Sequence, residues 1–413
     1  MEGAKRKLVI IGKVWPEPRS SAAGSRMMQL IELFQEGGWE ITFASAAQRS
    51  PYSVDLGARG VEEASIVMNS TAFDSWIAKQ DPAMVLFDRF MTEEQFGWRV
   101  AEQCPEAIRI LDTEDLHALR EGRHRALKQK RSLEREDLVN EIAKREVASI
   151  YRCDLSLMIS RKEVEVLTEV FGVPARLLHY IPFLLDPLTD EQISAWPSFE
   201  ERQAFISIGN FRHAPNWDAV RYLKSEIWPM IHQALPEARM LIYGAYPSAK
   251  VQQLHNPEQG FLIKGRADHA AAVMRKARVC VAPLRFGAGI KGKLMDAMLN
   301  GTPSITTSIG SESMHGELPW PGRIADDPQA FAKAAVALYT DGEQWQLAQQ
   351  RAIPVIGEVF SKSREGNRLV KHIDTLRENL EEHRLQNFTG LMLHHQTMAA
   401  TKYMSRWIEA KNS

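Results

Sequence analysis

Ligand-binding residue types are densest between Val281 and Met298, in Val-Ala-Pro-Leu-Arg-Phe-Gly-Ala-Gly-Ile-Lys-Gly-Lys-Leu-Met-Asp-Ala-Met. The apolar run Val279–Leu284 predicts a strand, Gly287, Ala288 and Gly289 a turn, and the residues after Lys291 and Lys293 a helix carrying Asp296. Glycines after a strand let backbone N–H groups approach a ligand, and a helix N-terminus beyond them favours negative charge. Two lysines at that helix start add full positive charge where a diphosphate could sit. An acid one turn further on can accept hydrogen bonds from ribose hydroxyls. The alternative is a plain strand–helix junction, but lysines there oppose the helix dipole, which argues for a ligand. The segment is not a Walker A loop. Gly287, Gly289 and Gly292 match G-x-G-x-x-G in spacing, yet that fingerprint belongs to the first strand–helix turn of a domain, and this one comes late.

Stepping outward, a chain of 413 residues is long enough for two domains, each with its own core. The formal charge of −1 gives no global attraction to nucleic acid. Cys104, Cys153 and Cys280 lie far apart, which fits a reducing compartment rather than a disulfide framework or zinc knuckle. No apolar run is long enough to span a bilayer, and Leu8–Ile11 is too short for a secretory signal core. The expectation is a cytoplasmic protein that binds no nucleic acid.

Short apolar runs alternate with amphipathic stretches. Leu8–Ile11, Ile41–Ala44, Met84–Phe87, Ile108–Leu111 and Leu155–Ile159 read as buried strands, with helices such as Met27–Phe34 and Glu93–Glu102 between them. A second series follows: Ala204–Ile208, Met240–Tyr243, Phe261–Ile263, Val279–Leu284 and Ser304–Thr307. Such alternation implies doubly wound parallel sheets, whose ligands bind outside the C-terminal strand ends. The predicted organisation is a Rossmann-like domain over 1–183, a proline-interrupted linker over 184–201, a second Rossmann-like domain over 202–375, and C-terminal helices over 376–413 packing back on the body. A helix break is expected near Pro354 and Gly357. The stripe Phe388, Leu391, Met392, Met398, Met404 and Trp407 reads as the apolar face of the last helix. The basic run Arg120–Arg131 is either a solvated helix face or a contact for an anionic membrane or a phosphorylated acceptor.

Several motifs in register carry a family resemblance over residues 155–375. Ser207-Ile-Gly209-Asn210-Phe-Arg212-His-Ala-Pro-Asn216 resembles the glycine turn that opens the donor domain of retaining glycosyltransferases of the GT-B fold, family 4. Ile227-Trp-Pro, Pro236–Gly244, Ile263-Lys-Gly265, the 281–298 segment and Gly301-Thr-Pro303 follow in the family's order. The resemblance implies two Rossmann-like domains facing across a cleft. It implies transfer of a sugar from a nucleotide-diphosphate sugar to a glycan, lipid-linked or other acceptor, with retention and without a catalytic metal or bound cofactor. Lys291 and Lys293 would meet the leaving diphosphate. Gly209, Asn210, Arg212, Asn216, Gly287, Ala288, Gly289, Ile290 and Asp296 would complete the donor site, with ribose on Asp296. In the first half, where the match is looser, Gly24 and Ser25 would offer backbone N–H groups to a phosphate or the acceptor, unless a serine there simply caps the helix.

This chain departs from the family pattern at three places. The family often carries an acid eight positions before the helix acid; here that place is Ala288. Backbone N–H groups of Gly287 to Ile290 are then expected to hold the sugar. Where relatives have Arg and Lys in the first donor-domain turn, Asn210 and Asn216 stand, with Arg212 nearby. A histidine close to the transferred sugar in many relatives is replaced by Glu114, in Asp112-Thr-Glu114-Asp115-Leu-His117. Glu114, Asp115 and His117, with Lys291, are therefore the candidate catalytic residues; the alternative makes Asp112 or Thr113 a helix cap and His117 structural. These departures also motivate a second reading, a non-catalytic nucleotide-sugar or glycan-binding protein on a degenerate scaffold.

Overall fold

The computed structural model describes residues 6–412, apart from the side chains of residues 396–399. Residues 1–5 and the Met398 side chain of the C-terminal stripe lie outside the described residues. Two wholly parallel sheets form the frame. The first joins β1 (Lys7–Gly12), β2 (Glu40–Ser45), β3 (Glu62–Ser65), β4 (Met84–Asp88), β5 (Ile108–Asp112), β6 (Leu155–Met158) and β7 (Leu178–Tyr180) in the order β3-β2-β1-β4-β5-β6-β7. The second joins β8 (Gln203–Ile208), β9 (Met240–Tyr243), β10 (Phe261–Gly265), β11 (Ala277–Ala282), β12 (Ser304–Thr306) and β13 (Gly322–Ile324) as β10-β9-β8-β11-β12-β13. Both are doubly wound, each on its own buried core.

The central strands coincide with the apolar runs because both their faces are covered. The strands without a sequence signal, β3, β7 and β13, all lie at sheet edges. β3 reads Glu-Glu-Ala-Ser and carries no large apolar residue. β11 ends at Ala282, two residues before the expected Leu284, because Pro283 has no N–H to continue the ladder.

The crossing back to the first domain comes earlier than the expected boundary at residue 375. Leu185 N–H donates to Phe360 O at 2.7 Å and Lys362 N–H to Leu185 O at 2.9 Å, so the outgoing and returning segments meet side by side in a single parallel bridge. The helix Lys362–Glu378 then buries Leu369, Ile373 and Leu376 in the core under β1 and β4. Each such side chain contributes about 1.5–3 kcal/mol by burial. The expected break near Pro354 is a π-helical turn, Val355–Val359, and the direction changes after it, at Ser361.

The last helix, Phe388–Asn412, packs against the first domain with the opposite face from the one expected. Asn387 Nδ2 just before it donates to Tyr151 O at 2.8 Å, and Ser405 is buried against Arg99. Phe388, Leu391, Met392, Met404 and Trp407 point outward, with Phe388 74% exposed. A helical spacing of apolar residues marks a common face but not what covers it, so the inward assignment of that stripe is corrected.

Candidate functional site

A doubly wound sheet opens a crevice where neighbouring strands send their connections to opposite faces, here between β1 and β4 and between β8 and β11. The segments leaving those four strands meet in one cleft of about 840 Å³. It is lined by Lys13–Ser25, Asp88–Arg89, Glu114, Asp115 and His117 from the first domain, and by residues of the turns that open with Gly209 and Leu284, among them Asn210, Asn216 and Phe286–Lys293, from the second. The structure thus brings Gly24, Ser25, Glu114, Asp115, His117, Gly209, Asn210, Arg212, Asn216, Gly287, Ala288, Gly289, Ile290, Lys291, Lys293 and Asp296 to one place.

Lys291 and Lys293 stand at the start of the helix Gly292–Leu299. Lys291 is buried, and its Nζ donates to Gly289 O at 2.8 Å. Lys293 Nζ donates to Asn216 Oδ1 at 2.8 Å, and Asn216 Nδ2 donates to Asn210 O at 3.0 Å. Asn216 therefore orients a cation instead of supplying one. Gly209 makes this possible: a Cβ there would stand 3.0 Å from Lys293 Nζ and 2.7 Å from Asn216 Nδ2. Burial lowers both lysines to about 8; for Lys291, Glu312 works against burial and Arg123 with it. Neither ammonium forms an ion pair among the described residues. A buried and a partly buried cation held by neutral oxygens are poised for an anion. Asp296, one turn on, is pushed up to about 6 by burial.

Across the cleft, Glu114 follows β5 with φ +60° and is 8% exposed. Its Oε1 has no partner among the described residues. Burial, then the nearby Asp112 charge, raise its carboxyl to about 8 against the pull of Arg89 and Arg26. Glu114 is thus an acid able to donate its proton. Asp115 behaves in the opposite way. Burial disfavours its charge, but Arg120 and His117 outweigh burial and hold it well below the carboxylate range. His117 Nε2 lies 3.3 Å from Asp115 Oδ1, and burial lowers the imidazole despite that partner. A carboxylate so engaged orients its neighbours; it is not a free base. Of the two acids that follow β5, Glu114 and Asp115, Glu114 is the one with an uncommitted oxygen among the described residues.

Several expectations are corrected. Asp112 and Thr113 do not cap the helix His117–Lys128: Asp112 binds Arg26 at 3.1 Å and Thr113 Oγ1 donates to Leu157 O at 2.9 Å. Glu146 caps that helix, accepting from the N–H groups of His117 and Ala118, each at 2.8 Å. The Gly24 N–H is spent on Ser21 Oγ at 3.1 Å and the Ser25 N–H on Ser21 O, so neither is free for a phosphate. Ser21 is the cap, and the first N–H groups of the helix, at Ala22 and Ala23, lack intrahelical acceptors. The backbone cradle expected around Ala288 is partly taken as well. Gly289 N–H donates to Glu163 Oε1 at 2.8 Å, Gly287 O accepts from Arg123 at 2.7 Å, and Ala288 packs on the first domain's core.

The basic run Arg120–Arg131 does not form a free face. Arg120 pairs with Asp115, Arg123 with Glu312 at 2.6 Å across the domains, and Arg125 and Arg131 with Asp137. Those four arginines are engaged within the molecule, while Lys128 and Lys130 stay exposed. The sequence assigned no site role to Arg89 and His213, which line the cleft, or to Arg123 and Glu163, which hold its glycine turn. Arg89 had one legible signal, its place directly after an apolar strand, and His213 lies in the 207–216 turn as the N-cap of its helix; Arg123 and Glu163 come from helices of the first domain that only the fold brings to the glycine turn. Among the described residues, no group of three or more His, Cys, Asp and Glu side chains is arranged for a metal ion, and no helix is long and apolar enough to cross a membrane.

Residues 202–341 match the family model described as Glycosyl transferases group 1. No curated protein is significantly similar in sequence. Among solved structures, sucrose-phosphate synthase from Thermosynechococcus elongatus is 16% identical with a TM-score of 0.65, over 90% of this chain and 99% of that one. Anabaena HepE, solved with UDP and glucose, is 11% identical with a TM-score of 0.66, over 90% and 100% of the two chains. The α,α-trehalose 6-phosphate synthase of Burkholderia multivorans is 10% identical with a TM-score of 0.64, over 91% and 100%. Likeness at such identity establishes the fold, and the family match applies to residues 202–341. The chain has the GT-B fold, and its residues 202–341 match a glycosyltransferase group 1 domain.

Proposed function

We propose that this protein transfers a sugar from a nucleoside-diphosphate sugar to a glycan, lipid-linked or other hydroxyl acceptor bound against its first domain. The observation that carries this reading is the pair Lys291, buried, and Lys293, partly buried, without carboxylate partners among the described residues, at a helix start facing the cleft. As the glycosidic C–O bond to the diphosphate breaks, negative charge grows on the leaving oxygens. Cations already in place stabilise it with little reorganisation. Asp296 would take the ribose hydroxyls. Glu114, carrying its proton, would donate a hydrogen bond to the sugar or the departing phosphate from the opposite wall. Retention, the cytoplasmic location and independence from a metal or bound cofactor belong to the same proposal. The first is read from the anomeric configuration of the product by NMR, and the last from turnover in the presence of a chelator.

Titration with UDP, GDP, ADP and TDP tests the donor site. Micromolar binding of one of them, abolished in the double variant Lys291→Ala/Lys293→Ala while the fold is kept, is expected; equal binding by the variant refutes the assignment. The alternative, binding without turnover, is favoured by one finding: Glu163 and Arg123 already occupy backbone groups of the turn. Absence of both transfer and donor hydrolysis with a full acceptor panel, alongside tight binding, would decide for it.

A further inference from the structure

The glycine turn of the second domain is not free-standing. It is held by a carboxylate from the first domain, and that contact joins both walls of the cleft at a single oxygen. Glu163 lies on the helix Arg161–Glu169 and is 0% exposed. Its Oε1 accepts the Gly289 N–H at 2.8 Å and the Leu116 N–H at 2.7 Å. Leu116 directly follows Glu114 and Asp115, and Gly289 is two residues before Lys291. Gly289 adopts φ +64°, and a Cβ on it would stand 2.9 Å from Asp115 Cβ. The turn therefore fits closely against the acidic loop, and Glu163 sits where the two touch. Its Oε2 is buried and has no partner among the described residues. The charged groups that act on it are Asp115 on the acidic loop and Lys291 on the donor helix, with Glu146 beyond them.

We propose that Glu163 is a positioning residue: by holding Gly289 and Leu116 on one oxygen, it sets the register of Lys291 against Glu114 and so places the diphosphate. This rests on the donor-phosphate reading of the turn. The role belongs to the reach and direction of the oxygen, because both bonds run to Oε1 and the second oxygen bonds to nothing. An amide of the same length can keep both bonds, and a shorter carboxylate cannot.

The test uses the full chain with the nucleoside diphosphate that wild type binds best and the corresponding monophosphate, both by calorimetry. Glu163→Asp and Glu163→Ala are expected to weaken diphosphate binding roughly tenfold or more, the loss typical of leaving a buried N–H without its acceptor. Monophosphate binding, which leaves the β-phosphate place empty, should change by less than about threefold on the same scale. Glu163→Gln should stay within about threefold of wild type for both ligands. A role confined to folding would instead lower the bound fraction of both ligands together, and the melting temperature with it. Should the alanine variant fail to fold, the Asp and Gln variants still decide. The proposal is overturned if Glu163→Asp matches wild type, if Glu163→Gln is as weak as Glu163→Asp, or if monophosphate and diphosphate affinities fall equally. Failure of wild type to bind any nucleoside diphosphate overturns this proposal along with the functional reading; normal wild-type binding with unaltered variants overturns this one alone.

Discussion

Replacing Lys293 with methionine keeps most of the side chain's length and removes its charge, which separates what the ammonium does for a ligand from what it does for the fold. In the unliganded protein Nζ has one neutral partner, Asn216 Oδ1 at 2.8 Å, and burial has lowered its affinity for a proton to about 8. Burying an ammonium without a counter-ion is unfavourable. The variant should therefore melt no lower than wild type when empty. For a bound diphosphate the change removes a charge-assisted hydrogen bond of about 1.5–3 kcal/mol, which corresponds to roughly 10–150-fold weaker binding. The pH dependence has a definite sign. Both lysines titrate near 8 when the site is empty, and an anion raises them. Affinity is then level below pH 8 and falls as pH rises through that value, and the variant loses one proton's share of the slope. Calorimetric titration from pH 6.5 to 9.5, with melting curves of the empty protein, gives all three readouts. Wild-type affinity in Lys293→Met, or a lower melting temperature with unchanged binding, would refute the reasoning.

Further predictions concern other parts of the molecule. Glu114→Gln should flatten the dependence of stability on pH. A carboxyl raised from 4.5 to about 8 in the fold contributes stability that is present at low pH and lost as pH rises toward 8, so the amide removes that decline in melting series between pH 5 and 8. Arg123→Ala leaves Glu312 without its cross-domain partner and Gly287 O without its donor. A loss of about 3 kcal/mol is expected, smaller in the Arg123→Ala/Glu312→Ala pair, and a double-mutant cycle in denaturant measures the coupling. Leu369→Ala should destabilise the first domain by about 2–5 kcal/mol, since that side chain is fully buried in its core; urea unfolding checks this.

What was legible in the sequence follows from where each signal is stored. Central strands such as Ile108–Leu111 announce themselves because both faces are buried; the edge strand Glu62–Ser65 cannot, being half solvated. The donor lysines were visible because turn, charge and helix start lie together in the chain. Glu163 was invisible, since a glutamate on an amphipathic helix looks like any surface acid until the fold sets its carboxylate against a glycine 126 positions later. In the basic run Arg120–Arg131 one partner was hidden for the same reason: Arg123 meets Glu312, 189 positions later, while the acids at Asp115 and Asp137 lie close by in the chain. The outward stripe at Phe388–Trp407 shows the limit of periodicity, which groups residues on a face without saying which way the face turns.

The most direct measurement of the central claim is a crystal of the full chain grown with a nucleoside diphosphate. The account predicts the β-phosphate within hydrogen-bonding distance of Lys291 or Lys293 and the ribose against Asp296. A diphosphate seated elsewhere, with both ammonium groups still on Gly289 O and Asn216 Oδ1 alone, would contradict it.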